Sequence, residues 1–133
     1  MTKASVRAMD AMQEFVAVQY PTQHWTLDWF TVLGASKRGW TTWLVGAVDK
    51  RVSAIVPVVM DAIHTHSFLH HQWKAYGAWT YALEDYLAMD IMSRLDTPEM
   101  ETWATMDDPY TFFDRLTMPK LIVNAGYDEV SVV

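Results

Sequence analysis

The sequence predicts an α/β fold with a parallel sheet core and a helical insertion. Three short apolar segments, at about residues 28–33, 52–59 and 119–125, are typical of strands buried on both faces. Helical patterns separate these segments, and strands separated by helices indicate a parallel sheet. Residues 61–115 lie between the second and third strands and are rich in aromatic, methionine and acidic residues, which predicts a helical insertion.

The first half of the chain alternates between the two kinds of element. Residues 5–18 repeat apolar side chains near the helical period, and Pro21 follows that predicted helix. The aromatic and β-branched strand at 28–33 stops at Gly34. A second helix is predicted from Lys37 to about residue 48.

In the second half of the chain, individual residues indicate where predicted strands are interrupted and where helices begin. Pro57 donates no ladder hydrogen bond, so we place it near the carboxyl end of the second strand. Within the insertion we predict a helix over about 73–94, and Thr97 followed by Pro98 is typical of a helix start. Asp107 and Asp108 are predicted to form a solvated turn before Pro109.

Composition excludes several classes of protein. The chain has 133 residues, one domain or part of one, and 51% hydrophobic residues, which excludes a disordered chain. The net charge is −6 and no basic stripe occurs, so no nucleic-acid partner is expected. The absence of cysteine excludes disulfides and thiolate chemistry. No uncharged apolar run reaches about 18 residues, so no membrane span is predicted.

The segment Gly34-Ala-Ser36-Lys-Arg-Gly39 carries the main chemical signal. It places a serine between a strand and a helix, with glycine two positions before and three positions after it. A nucleophile elbow needs small residues there so that strand and helix can approach closely. The usual spacing puts the second glycine at position 38, where this chain has Arg38. The alternative is an ordinary turn in which Ser36 caps the helix.

Residues 34–43 and 47–52 together resemble the PhoPQ-activated pathogenicity-related protein family. Further matching stretches lie at 5–15, 70–71, 76–79, 95–99, 108–110 and 115–124. The resemblance implies a partial α/β-hydrolase fold with a helical lid or insertion at 61–115, in one incomplete domain over 1–133.

The hydrolase resemblance implies a triad in the chain order serine, acid, histidine. Ser36 fits the nucleophile, and Asp128 fits the acid that follows the strand after the insertion. Asp61, which ends the second strand, is the alternative acid. Either carboxylate is also explained as a strand-end group that accepts a hydrogen bond from a nearby amide.

Two basic residues directly follow the serine. The Lys37 amide is expected to form half of an oxyanion hole, and the Lys37 or Arg38 side chain is expected to hold a carboxylate or stabilise charge. Glucuronoyl esterases resemble this arrangement, with a basic residue after the nucleophile. The competing interpretation is a solvated helix start or a salt bridge to the acidic insertion.

The triad histidine is expected beyond Asp128, and none of the five histidines occurs there. We therefore expect an internal piece of a longer protein that is inactive, or nearly so, by itself. A zinc site at His64, His66, His70 and Asp61 is an alternative use of the other histidines. Since no family expectation supports such a site, we predict no metal and no cofactor.

The predicted function is ester or amide hydrolysis of a small-molecule or peptide substrate in the full-length parent. The alternative is a non-catalytic secreted signalling or virulence-associated protein on a hydrolase scaffold. The chain shows no export signal, whereas the resemblance implies a secreted or periplasmic parent. Exposed edges of an incomplete sheet also predict self-association.

Overall fold

A small parallel sheet with helices around it forms the first part of the computed structural model, which describes residues 1–130. In chain order the elements are α1 (Thr2–Gln19), β1 (Phe30–Ala35), α2 (Lys37–Val48) and β2 (Val52–Val58). β1 and β2 pair in parallel, so that Ala35 lies opposite Val58 at their carboxyl ends. The predicted mixed α/β class and the first two strands are confirmed, with β1 shifted two residues toward the carboxyl terminus.

The third predicted strand, at about 119–125, is only partly formed. It lies parallel to β2 through two isolated bridges, Ile55 with Lys120 and Val58 with Val123. In this parallel ladder every second residue of β2 directs its amide toward the third segment. Residue 57 would therefore donate to residue 121, between the two bridges, but Pro57 has no N–H. The Pro57 carbonyl still accepts from the Val123 amide at 3.1 Å. Pro57 therefore sits inside the ladder and interrupts the third strand.

Helical segments occupy most of the chain between β2 and this third segment. They are α3 (Thr65–Tyr76), a 3₁₀ turn (Tyr81–Leu83), α4 (Glu84–Ala88), a 3₁₀ turn (Met92–Arg94), α5 (Pro98–Asp107) and a 3₁₀ helix (Pro109–Arg115). The predicted single helix over 73–94 is wrong. Gly77 adopts φ 68° and ends α3, because glycine enters the left-handed region without a Cβ penalty. The Thr97 cap of α5 is confirmed, since its side chain accepts from the Met100 amide.

Two clusters of buried hydrophobic side chains stabilise the sheet region and the helical segments. The first joins the sheet to α1 and α2 and includes Val45 and Ile55, both 0% exposed. The second lies within the helical segments and contains the buried Leu69, Leu83 and Leu95. Burial of such side chains is the main stabilising term for each part.

The described residues do not form a complete α/β-hydrolase fold. Their sheet consists of β1, β2 and the interrupted third segment, so the fold they establish is a mixed α/β arrangement with several helices. Within residues 1–130, no helix combines the length and the apolar character that crossing a bilayer requires.

Candidate functional site

Ser36 occupies a strained turn between β1 and α2. Its backbone has φ 51° and ψ −125°, a combination that L-residues with a side chain rarely adopt. The Ser36 amide donates to the Val58 carbonyl at 2.9 Å, which fixes the turn to the end of β2. A capping serine would have β-region dihedrals and accept an amide hydrogen bond. Ser36 has neither feature, and its side chain is exposed.

Two glycines make this turn sterically possible. A Cβ built on Gly34 would lie 2.4 Å from the Arg38 carbonyl oxygen, and one built on Gly39 would lie 2.5 Å from the Met60 Cβ. The first glycine lets β1 approach the start of α2, and the second lets α2 approach the end of β2. The glycine three positions after the serine therefore fills the need for a small residue that the usual spacing places at residue 38.

Ser36 opens into a cavity of about 570 Å³ between the sheet and the helical segments. The residues that line this cavity include Lys37, Met60, Trp40, Trp103 and Asp107. The Trp40 and Trp103 rings meet edge to face with centroids 5.7 Å apart. Trp40 Nε1 also donates to the Asp107 carbonyl at 2.8 Å, which ties α2 to the end of α5. The result is an apolar space with a hydroxyl at its wall, the usual form of a small-molecule site.

The two predicted basic residues have different positions. Lys37 lines the cavity, whereas Arg38 does not appear among the described lining residues and instead directs its guanidinium at Met1 Sδ. Within residues 1–130 neither side chain forms an ion pair, so the alternative of a salt bridge to the acidic insertion is not observed. The Lys37 amide is the first of α2, where helix amides lack an intrahelical partner and the helix dipole is positive.

The two candidate acids lie next to cavity-lining residues. Met60 and Ala62, on either side of Asp61, both line the cavity. Asp128 accepts from the Val130 amide at 2.8 Å, and Val130 also lines the cavity. The buried Gln72 holds this loop, because its Nε2 donates to the Val130 carbonyl at 2.8 Å. The catalytic role of either carboxylate stays a prediction.

No histidine appears among the described residues that line the cavity. His64 caps α3 by accepting from the Ser67 amide, and its ring lies 4.5 Å from the Tyr110 ring. His66 and His70 both contact Asp96, at 2.8 Å each. None of these three side chains is therefore placed as a base for Ser36.

The predicted solvated turn at Asp107 and Asp108 is wrong for Asp108, which is buried, whereas Asp107 ends α5 and is exposed. Asp108 is 4% exposed and accepts from the Thr65 amide at 2.7 Å and the Tyr110 amide at 2.9 Å. Asp107 lines the cavity, and its partial burial raises the pKa of its carboxyl. The signal that could have located Asp108 is its place directly before Pro109, since aspartate before proline is typical of a helix cap.

Comparisons with known proteins identify a curated relative and a family. Over 130 residues the chain is 45% identical to a protein of Dictyostelium discoideum described as autocrine proliferation repressor protein A. The match covers 97% of this chain and 25% of that relative, so the chain spans about a quarter of the relative's length. No solved structure gives a significant match. Residues 1–133 match the family described as PhoPQ-activated pathogenicity-related protein, and the chain belongs to that family.

Proposed function

We propose that Ser36 is the nucleophile of an ester- or amide-cleaving site in the full-length protein. The strained backbone of Ser36 is the observation that carries this proposal. Residues held in such conformations cost about 1–3 kcal/mol and cluster at functional sites. A positive φ at a serine between a parallel strand and a helix is also what a nucleophile elbow requires. The adjoining apolar cavity supplies room for a small-molecule or peptide substrate.

The proposed chemistry is acyl transfer to the serine hydroxyl. Ser36 Oγ attacks the carbonyl carbon while its proton passes to a base, and a tetrahedral intermediate forms. The bond to the leaving alcohol or amine then breaks as that group takes the proton from the base, and water hydrolyses the resulting acyl–serine ester. The Lys37 amide donates to the developing oxyanion, and the Lys37 side chain, which lines the cavity, adds positive charge nearby. Asp128 orients a histidine supplied from outside the described residues, with Asp61 as the alternative acid.

A fluorophosphonate probe tests this proposal, because it reacts with activated serines. We expect the full-length protein to be labelled, and Ser36→Ala to abolish both labelling and ester turnover. Ser53→Ala is the matched control, since Ser53 is also exposed but lies within β2. Labelling that persists in Ser36→Ala, or that never occurs, would contradict the proposal. The 133-residue chain alone is expected to react weakly or not at all, because no described histidine lines the cavity.

A second candidate is non-catalytic signalling, favoured by the relative described as an autocrine proliferation repressor. In that case the hydrolase-like turn would be only a scaffold feature. The full-length protein would then alter cell proliferation equally with serine or alanine at position 36. A loss of that effect in Ser36→Ala would exclude scaffold-only signalling.

A further inference from the structure

Two histidines and an aspartate converge on one side of α3. His66 Nε2 and His70 Nε2 each lie 2.8 Å from the same oxygen, Asp96 Oδ1. The two imidazole rings have centroids 4.5 Å apart, and the possible ligand atoms of the three residues all lie within 4.8 Å of one another. This group, the His66–His70–Asp96 cluster, is separate from the Ser36 cavity.

Buried neighbouring residues fix the position of the His66–His70–Asp96 cluster. His66 and His70 are four residues apart in α3, so their side chains share one face of the helix. Leu69 and Leu95 precede His70 and Asp96, and both leucines are buried in the second hydrophobic cluster. On its other side Asp96 adjoins Thr97, whose hydroxyl donates to the Arg94 carbonyl at 2.8 Å. The backbone at all three positions is therefore held by secondary structure or by packing.

We propose that the His66–His70–Asp96 cluster binds a divalent transition-metal ion, with zinc as the natural occupant. Two imidazole nitrogens and one carboxylate are a ligand set that suits zinc, whereas magnesium and calcium prefer oxygen ligands. Tetrahedral zinc with bonds of about 2.0–2.1 Å separates its ligand atoms by roughly 3.3 Å. The two histidine-to-Asp96 separations of 2.8 Å are slightly shorter than this and would lengthen on binding, and all ligand atoms already lie within 4.8 Å of one another.

The electrostatic surroundings favour a cation. Residues 61–133 contain twelve acidic and four basic residues, so this part of the chain is strongly negative. A bound ion would take the place of the direct contacts that the two imidazole nitrogens now make with Asp96 Oδ1.

Three protein ligands leave a fourth coordination position for water or another molecule. His70 and Asp96 lie at the edge of an open groove of about 410 Å³ that Trp73, Trp79 and Leu87 also line. The Trp73 and Trp79 rings lie 5.1 Å apart. The bound ion would therefore join α3 to the start of α5 and present its open position beside an aromatic surface.

Cobalt(II) titration of the metal-stripped chain tests this site, because tetrahedral cobalt absorbs visible light far more strongly than the hydrated ion. We expect one cobalt ion per chain, displacement of that ion by zinc, and a rise in the melting temperature when zinc is added. His66→Ala and His70→Ala should each weaken zinc binding by at least about tenfold. Asp96→Asn keeps an oxygen that can accept from both histidines but loses the charge, and should weaken binding comparably.

His71→Ala is the matched control, because His71 is exposed on α3 but is not part of the cluster. It should bind zinc as the unchanged chain does. Circular dichroism of each metal-free variant shows whether it is folded, and Asp96→Asn provides the test if a histidine variant unfolds. The absence of one-to-one binding at submillimolar zinc, or binding that survives both Asp96→Asn and His70→Ala, would overturn the proposal. Neither result bears on Ser36.

Discussion

Gly39 of α2 lies so close to the chain after β2 that a Cβ on it would come within 2.5 Å of the Met60 Cβ. The same Cβ would lie 3.1 Å from the Val58 carbonyl oxygen, which accepts the Ser36 amide. The close approach of α2 and β2 at Gly39 thus helps to set the turn that presents Ser36.

Gly39→Ala is expected to lower the free energy of unfolding by about 1–3 kcal/mol, because the added methyl group must displace packed atoms. Urea denaturation monitored by tryptophan fluorescence measures this change. Gly126→Ala is the matched control, since a Cβ at that position meets nothing within 4 Å and should leave stability unchanged or slightly higher. Equal stability of the two variants would mean that the helix moves away from Met60 without cost.

The positive φ of Ser36 gives a second prediction that does not depend on catalysis. Glycine tolerates φ 51° but alanine does not, so Ser36→Gly is expected to be more stable than Ser36→Ala by about 1 kcal/mol. In the extended strand β2 the order should reverse, with Ser53→Gly less stable than Ser53→Ala. Thermal melts of the four variants measure both differences. The same order at both positions would contradict a strained turn at Ser36.

The elements around Ser36 could be predicted because local signals and packing agree there. The apolar strand β1 ends at Ala35, one residue after Gly34, and the helix after Ser36 is buried from Thr41 to Ala47, so both elements are visible in the sequence. The sequence also shows that Pro57 is unfavourable inside a strand, but it does not show which strand is interrupted. Only the register with residues 119–123 shows that its missing N–H interrupts the third strand.

The helical segments were harder to predict because long-range contacts decide their boundaries. The aromatic spacing over 73–94 fits a helix locally, yet Gly77 ends α3 and the chain turns back to bury Leu83 and Leu95 against Leu69. Likewise, the partner of His66 and His70 is Asp96, which is 26 residues beyond His70. No short-range spacing predicts that contact, and the alternative zinc site considered from the sequence grouped the two histidines with Asp61 and His64.

Asp108 provides a third prediction, because one buried carboxylate accepts the amides that begin two helical segments. Asp108→Ala leaves both amides without their acceptor and is expected to lower the free energy of unfolding by at least about 2 kcal/mol. Asp107→Asn is the matched control. Burial raises the pKa of Asp107, so replacing its charge should leave stability unchanged or raise it. A comparable loss in both variants would contradict the capping role.

Acid stability should depend on Asp49. Hydrogen bonds from the Arg51 side chain, at 2.6 Å and 3.0 Å, hold the pKa of the Asp49 carboxyl below its ordinary value of 3.8. A carboxylate whose pKa is lowered by folding stabilises the folded state at pH values above its ordinary pKa. This stabilisation is lost as the pH falls through the lower pKa of the folded state. Urea midpoints measured from neutral pH to below 3.8 should therefore fall less steeply in Asp49→Asn than in the unchanged chain. The exposed Asp114→Asn should keep the original slope.

The outer edge of β1 leads to a prediction about self-association. β1 pairs with β2 on one side, and in the part of the chain that the structure describes no strand pairs with its other side. Trp29, directly before β1, and Leu33, within it, are 69% and 68% exposed. Unpaired strand edges beside apolar side chains are templates for pairing with another chain.

We expect the average mass of the purified 133-residue chain in light scattering to rise with concentration. Leu33→Lys should suppress that rise, because a charge on an edge strand opposes pairing between identical copies. Met106→Lys is the matched control: it adds the same charge at a side chain that is 65% exposed on α5, away from the sheet edge, and should leave association unchanged. If Met106→Lys suppresses association as strongly as Leu33→Lys, net charge and not the β1 edge controls it. A mass that stays monomeric over the whole range would show that the exposed backbone of β1 does not act as a template.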